Sequence, residues 1–335
     1  MAKLQYIIIK QRKNYCNKII RQQGRKRMYF IDFFKRMTRK SNIPVVIYLV
    51  LNIFVIAGII LLLFGGNSGM PFGIAFLVGI VIYAISLLIA LSPIGEWILR
   101  LQTGCKKIRR IEQINFIEPI FREVYDKAKK LDPSIPDDVC LYMNGDESPN
   151  AFATGRKTIC ITEGMFYMPT EQIKATLGHE FGHLAHKDTD LILVVSVGNL
   201  IVSAFILGIR LIIEFIHLIF GVAAAFTGGS EGAIASALNA LYHLMIVAIV
   251  AGLTWVWTKI GILLVMKASR DNEFEADEFS FNLGYGNDLC VLLDSICGAG
   301  ANGLFANLAS SHPDKSDRIA RLQELGATYR ATYGM

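Results

Sequence analysis

Two histidines and a glutamate in the stretch LGHEFGHLAHKD, residues 177–188, have the types and the spacing of a metal site. His179 and His183 are four residues apart, so on an α-helix their side chains project from one face, one turn from each other. Two imidazoles at this spacing can bind one zinc ion, and Glu180 then lies beside the open coordination position. A solvated helix face is the alternative for so short a motif, and the rest of the sequence must decide between them.

A third ligand is needed, because catalytic zinc usually has three protein ligands and a fourth position for water. The segment NEFEAD places Glu273 four residues before Asp277, so the two carboxylates share one helical face. Glu273 can then ligate the metal, while Asp277 accepts the free N–H of a ligating imidazole. A charged helix cap is the alternative. Asp188 is a candidate to anchor the motif helix, whereas His186 would exceed the usual number of ligands.

The chain is too apolar for an ordinary soluble domain, with 53% hydrophobic residues and a mean hydropathy of +0.42. Its apolar runs are Ile43 to Phe64, Phe72 to Leu91, Leu191 to Phe226 and Ala233 to Met266. Each run is long enough to cross a bilayer as a helix, which predicts four transmembrane helices in two hairpins. Arg210, Glu214 and His217 share one face of the third run and should mark the far membrane interface or pair within the bundle.

Charge predicts the orientation. Residues 1–42 contain 13 lysines and arginines and one acid, Asp32, whereas the loops inside the two hairpins are almost uncharged. The basic side faces the cytoplasm, so both termini and residues 93–190 should be cytoplasmic, in the cell inner membrane. The arm is expected to attract anionic lipids, with an organellar targeting segment as the alternative. The net charge of the chain is +6, and the excess of basic residues is confined to the arm. Because the rest of the chain is not basic, no nucleic-acid partner is predicted.

Short β-rich runs at 139–143, 150–154 and 158–162 predict a small sheet with a hairpin between the last two. Helices are expected from Gly95 to Lys130, over the histidine motif with Thr170 as its N-cap, around NEFEAD, and from Lys315 to Leu325. The predicted fold class is mainly α and membrane-integral, with four transmembrane helices in two hairpins plus a cytoplasmic α+β zincin-like catalytic domain. The predicted segments are the arm 1–42, the first hairpin 43–92, the first catalytic part 93–190, the second hairpin 191–266 and the second catalytic part 267–335.

The motifs together resemble one known family. HEFGHLAHKD, two hydrophobic segments and then SRDNEFEAD are similar to the HtpX-type membrane-integral zinc metalloproteases, relatives of the CAAX prenyl endopeptidase. SPNAFATG (148–155), ITEGMF (161–166) and SHPDKSDRIARL (311–322) agree, so the resemblance covers roughly residues 95–330. The basic arm is longer than this family leads us to expect, and ADEFS replaces a more usual small-residue continuation.

The resemblance implies roles for individual residues. It implies one zinc ion per chain on His179, His183 and Glu273, with Glu180 as the catalytic glutamate. It further implies that Asn150 and Ala151 belong to an edge strand that pairs with substrate. His312 and Arg318 would lie near the active site, where either could stabilise an oxyanion.

The expected function is that of a zinc endopeptidase which hydrolyses peptide bonds of membrane-associated or misfolded proteins, as in membrane quality control and stress responses. A non-proteolytic zinc-binding scaffold or chaperone-like adaptor is the alternative from another class, although a purely structural site has no need of Glu180 as a base. A protease whose site lies inside the bilayer is a third hypothesis. The charged flanks EQIKATLG and LAHKDTD disfavour it.

Overall fold

The structure is a computed structural model that describes residues 42–64, 70–187, 189–228, 230–268, 270–295 and 314–330. The predicted basic arm, but for its last residue, and the predicted site residues Asp188 and His312 lie outside the described residues. Contacts along the chain divide it into two compact units. The membrane unit comprises residues 43–98 and 191–265. The site unit comprises the described parts of 99–190 and 266–335.

The described helices are, in chain order, α1 Ile43–Phe64, α2 Phe72–Ala90, α3 Pro93–Gln102, α4 Ile111–Leu131, α5 Thr170–His186, α6 Thr189–Ile192, α7 Gly198–Gly228, α8 Ser230–Ala268, α9 Arg270–Ser280, α10 Gly286–Ser295 and α11 Lys315–Glu324. The strands are β1 Cys140–Asn144, β2 Ala151–Thr154 and β3 Thr158–Thr162. A 3₁₀ turn, Glu163–Tyr167, follows β3. Two π-helical turns, Leu193–Val197 and Phe281–Tyr285, join α6 to α7 and α9 to α10.

The four predicted apolar helices are confirmed. Segments long and apolar enough to cross a membrane are Ile43–Phe64, Phe72–Ala90, Thr189–Ala223 and Ala237–Val265. At 1.5 Å per residue even the shortest spans roughly 30 Å, the thickness of a bilayer's hydrocarbon core. Many large apolar side chains on these helices are exposed, as a lipid environment requires.

A buried polar network joins three helices of the membrane unit. The Nδ2 of Asn52 donates to Oδ1 of Asn199 at 2.8 Å, and Nδ2 of Asn199 donates to the Tyr48 hydroxyl at 2.7 Å. The Tyr48 hydroxyl donates to the carbonyl oxygen of Trp257 at 3.0 Å. The Trp257 indole N–H donates to Oδ1 of Asn52 at 2.8 Å, which closes the network. Because every member donates or accepts within the network, helices α1, α7 and α8 have a fixed mutual rotation.

Replacing Asn199 by leucine should lower the stability of the membrane unit by about 1–2 kcal/mol, because Asn52 and Tyr48 would lose partners in an apolar environment. The measurement is the thermal midpoint of the full chain in detergent. Thr254→Val is the matched control, since the Thr254 hydroxyl donates to the carbonyl of Val250 on its own helix and takes no part in the network. Equal midpoints for the two variants would contradict this prediction.

The charged residues of the third span pair within the bundle. The Nη2 of Arg210 lies 2.6 Å from Oε1 of Glu214 and 2.7 Å from Nδ1 of His243 on α8. Glu214 is almost fully buried, whereas His217 is exposed. The interpretation that these residues pair is therefore confirmed for Arg210 and Glu214. The histidine that joins them is His243 rather than His217.

The site unit contains the small sheet that the sequence predicts. Its order is β1-β3-β2, with β1 parallel and β2 antiparallel to β3. Among the described strands β2 has a neighbour on one side only, so its other edge is free. The core lies between the sheet, α4 and α5, and contains Phe181 of α5 against Phe121 and Tyr125 of α4, with ring centroids 5.6 and 5.7 Å apart. This aromatic contact fixes the rotation of the motif helix.

Two helix predictions need correction. The helix expected from Gly95 to Lys130 is two helices, because Gly104 adopts φ +69°, and Lys106 then forms a two-hydrogen-bond bridge with Met143 of β1. A glycine in the left-handed region ends a helix at little steric cost. Thr170 is the first helical residue rather than the N-cap, which is Pro169.

Candidate metal centre

The motif helix α5 and the polar helix α9 cross at very close range. A Cβ on Gly182 would lie 2.8 Å from the Cα of Ala276, and a Cβ on Gly178 would lie 2.9 Å from Oγ of Ser280. The Ser280 hydroxyl donates to the carbonyl oxygen of Ala175 at 2.9 Å. Small residues four apart on both helices therefore permit a backbone approach that larger side chains would block. The ligand-bearing faces of α5 and α9 lie beside this crossing.

Three side chains converge there with the separations that zinc requires. The two Nε2 atoms of His179 and His183 are 3.1 Å apart. Glu273 places Oε2 at 3.5 Å from Nε2 of His179 and Oε1 at 3.4 Å from Nε2 of His183. Ligands at about 2.0–2.1 Å from a tetrahedral zinc are about 3.3–3.4 Å from each other. The donor set and its spacing thus fit one zinc ion, and these three residues form a group that could hold a metal ion among the described residues.

Asp277 and Arg318 contact His179 on its Nδ1 side. The Nδ1 of His179 lies 2.8 Å from Oδ1 of Asp277, so its N–H can donate to the carboxylate and leave Nε2 as the metal-facing nitrogen. Arg318 on α11 binds the same carboxylate in a bidentate manner, with Nε and Nη2 donating at 2.7 and 2.6 Å. All three side chains are buried. The predicted supporting role of Asp277 agrees with these contacts.

The electrostatics of this chain of contacts keep Asp277 ionised. Burial alone would raise the pKa of Asp277, but the hydrogen bonds and the charge of Arg318 outweigh it and hold that pKa below its ordinary value. Burial likewise lowers the pKa of His179, and the hydrogen bonds to Asp277 and Glu273 outweigh it, so the pKa of His179 is raised. A permanently charged carboxylate is the strongest acceptor available to an imidazole N–H.

Replacing Asp277 by asparagine should weaken zinc binding by about 10- to 100-fold, because the ligating imidazole loses its charged acceptor. The measurement is a competition titration of the purified chain against a chelator of known affinity. Glu275→Gln on the same helix is the control, since the Glu275 side chain is 42% exposed and its carboxylate lies 3.9 Å from Nδ1 of His186, which is not among the proposed ligands. Equal zinc affinities in the two variants would refute a supporting role for Asp277.

Glu180, one residue after the first ligand, contacts the edge strand. Its Oε2 accepts the backbone N–H of Ala153 at 2.6 Å. The carbonyl of Asn150 accepts the N–H of Thr162, and antiparallel strands alternate between bonded and non-bonded pairs. Ala151 and Ala153 therefore direct their backbone groups away from β3, toward the free edge. Glu180 Oε2 is held there by the Ala153 N–H, one residue along α5 from His179.

The structure places the other predicted residues as follows. Asn150 is exposed, and its backbone is hydrogen-bonded to Thr162. The Thr162 hydroxyl accepts the Asn150 N–H at 2.8 Å. Ala151 is buried on β2 with its backbone at the free edge. Arg318 approaches Oε2 of Glu273 to 3.6 Å and Nδ1 of His179 to 3.4 Å, and only 8% of its side chain is exposed.

Sequence reasoning missed the residues that bring the ligands together. Gly178, Gly182, Ala276 and Ser280 were not singled out, although their spacing of four within each segment was a signal of close helix packing. Ala153 was also missed, because no side-chain pattern reports the direction of a backbone N–H. Glu278 is exposed, as expected for a carboxylate on the far side of α9.

Comparison with known proteins agrees with this geometry. The sequence profile described as peptidase family M48 matches residues 117–326, which is more than half of the chain. The chain belongs to peptidase family M48. The resemblance to HtpX-type proteases is confirmed, and M48 membership together with the four apolar helices indicates a multi-pass membrane metalloprotease. M48 metalloproteases depend on zinc in general, in agreement with the donor set described above.

Several curated relatives carry the name Protease HtpX homolog. One from Thermoplasma acidophilum is 29% identical over 150 residues, which cover 40% of this chain and 45% of that protein. One from Burkholderia lata is 27% identical over 247 residues, which cover 64% of this chain and 77% of that protein. A homologue from Burkholderia cenocepacia matches to the same extent. The M48 chain described here thus aligns with less than half of the archaeal protein and with most of the bacterial ones.

Proposed function

We propose that this M48 chain is a zinc endopeptidase that hydrolyses peptide bonds of membrane-associated or misfolded proteins, with Glu180 as general base. The observation that carries the proposal is the convergence of two imidazoles and one carboxylate at 3.1–3.5 Å beside a glutamate held to a free sheet edge. His179, His183 and Glu273 would hold the ion. Zinc bound by them would supply a Lewis acid that polarises a carbonyl and makes water nucleophilic near neutral pH.

Glu180 supplies the proton transfers. Its carboxylate is buried and has one oxygen fixed by the Ala153 N–H, so the other oxygen is presented in a single orientation. A carboxylate in this position can take a proton from the attacking water and later deliver it to the leaving nitrogen. Since the backbone and not a flexible side chain holds the base, little reorganisation accompanies each transfer.

The free edge of β2 would bind the substrate by strand addition. Backbone hydrogen bonds to an extended peptide give affinity without selecting a sequence. The register directs the backbone of Ala151 and the carbonyl of Ala153 to this edge, and Asn150 can contribute only its exposed side chain. Extended binding of this kind suits loops and unfolded segments, the substrates expected of a quality-control protease.

Arg318 fits a positioning role better than the oxyanion donor suggested by the sequence. Its guanidinium is buried and contacts Asp277, Glu273 and His179, with both Nε and Nη2 bonded to the Asp277 carboxylate. His312 remains a proposed oxyanion donor. The membrane context supports a location in the cytoplasmic membrane with the site unit and both termini cytoplasmic, and with anionic lipids at the basic arm.

The test uses the full chain purified in detergent. Its zinc content would be determined and its cleavage of an unfolded protein and of a membrane-tethered protein measured, before chelation, after chelation and after zinc is restored. We expect one zinc per chain, loss of cleavage on chelation and recovery with zinc. His183→Ala is the control for a contaminating protease. Cleavage that survives chelation, or that persists in His183→Ala, would disprove the proposal. One bound zinc without cleavage would favour the scaffold alternative.

A further inference from the structure

A buried ion pair links the hairpin that carries β2 to the segment after the motif helix. The Nε and Nη2 of Arg156 lie 3.0 and 3.1 Å from Oδ1 and Oδ2 of Asp190. The two side chains are only 8% and 4% exposed. Burying such a pair contributes little net stability relative to apolar residues of similar size, because both charges must be desolvated. Its geometry is therefore better explained by what it holds in place.

The pair joins two segments of the site unit that each lead to Glu180. Arg156 lies in the tight turn between β2 and β3, three residues after Ala153. Asp190 lies on α6, four residues after the end of α5 at His186. A second connection is parallel to the first, since the Thr189 hydroxyl donates to the carbonyl oxygen of Gly155. The C-terminal end of β2 is thus attached to the chain that continues from the motif helix.

The attachment has a consequence for the general base. The Ala153 N–H meets Oε2 of Glu180 at 2.6 Å, and this contact needs β2 to keep its position along α5. We propose that Arg156 and Asp190 form a positioning clamp that holds the edge strand against Glu180. The effect of the clamp on catalysis rests on the proposed function. Its effect on the Ala153 amide is independent of that function. Neither residue is one of the three proposed ligands.

The hairpin turn offers a matched control. Lys157, next to Arg156, forms an ion pair with Asp138, with 2.7 Å between Nζ and Oδ2. That pair is partly exposed and ties the turn toward the segment before β1, not toward α6. Lys157→Met thus removes a charge and an ion pair from the same turn without altering the clamp.

The experiment compares Arg156→Met, Asp190→Asn, the exchange Arg156→Asp with Asp190→Arg, and Lys157→Met in the full chain. For the first two we expect one zinc per chain, a KM within a few-fold of wild type and a kcat lower by about 100-fold, the effect typical of a displacement of about 1 Å. The exchange variant should recover part of kcat. Hydrogen exchange of the Ala153 amide should be about tenfold faster in Arg156→Met, equivalent to one lost hydrogen bond. Lys157→Met should behave as wild type.

Wild-type kcat in Arg156→Met and Asp190→Asn, or an unchanged exchange rate of the Ala153 amide, would overturn the clamp. A chain that binds zinc but never cleaves would disprove the proposed function, and the exchange rates would still decide the clamp. If Arg156→Met loses its zinc, the same measurements are made on Arg156→Lys, because lysine keeps the positive charge and loses the bidentate geometry. Full activity and full amide protection in Arg156→Lys and Asp190→Asn would then contradict the proposal.

Discussion

Replacing Glu180 by glutamine is expected to lower kcat for peptide cleavage by about 10²- to 10⁴-fold, while the chain keeps one zinc ion. The amide has the shape of the carboxylate and can still meet the Ala153 N–H through its oxygen, but it cannot take a proton from water. KM should change little, because the substitution leaves the proposed substrate-binding edge of β2 and the proposed ligands untouched. The measurement is steady-state cleavage by the full chain, with zinc determined on the same sample.

Glu171→Gln is the matched control for this substitution. Glu171 lies on the same helix α5, with its side chain 55% exposed and paired with Lys174. It should cleave as wild type does. If Glu180→Gln also cleaved at the wild-type rate, another group would be the base. A Glu180→Gln chain without zinc would instead mean that the carboxylate is needed to build the site.

Replacing Gly182 by alanine should be nearly as damaging, although the added group is a single methyl. The new Cβ would lie 2.8 Å from the Cα of Ala276 and 3.1 Å from the Cβ of Phe279, so α9 would have to move. Overpacking of this kind typically costs about 1–3 kcal/mol, more than the roughly 1 kcal/mol that alanine gains over glycine in a helix. Displacing α9 separates Glu273 from the histidines, and zinc affinity should fall by at least about tenfold.

The measurement is zinc affinity and thermal midpoint for Gly182→Ala beside Gly208→Ala. Gly208 lies inside α7 with nothing within 4 Å of the position a Cβ would take, so the same substitution there should be neutral or slightly stabilising. A Gly182→Ala chain with unchanged zinc affinity would show that the crossing of α5 and α9 tolerates a wider separation than we infer.

The sequence predicted what depends on local periodicity. The spacing of four between His179 and His183, and between Glu273 and Asp277, places each pair on one helical face whatever the surrounding fold. The structure then brings the two faces together. Apolar length alone likewise predicted the four membrane helices, since a bilayer imposes its thickness on any helix that crosses it.

Features that depend on packing between distant segments could not be read in this way. The break at Gly104 directs Lys106 into a bridge with Met143 of β1, a distant segment, and the pairing of His243 with Arg210 depends on how two long helices are rotated. The contact between Ala153 and Glu180 depends on strand register, in which a shift of one residue reverses every backbone direction. The spacing of residues along a helix does not predict these tertiary contacts.

The two helices that carry the proposed ligands, α5 and α9, lie on opposite sides of α7 and α8 in the chain, which bears on the order of events during synthesis. The two histidines leave the ribosome before α7 and α8, whereas Glu273 and Arg318 follow both of those helices in the chain. A nascent chain that ends within α7 or α8 therefore lacks the proposed third ligand, Glu273, and the arginine that binds Asp277. The order of residues along the polypeptide therefore delays completion of the proposed metal centre until both of those helices have been synthesised.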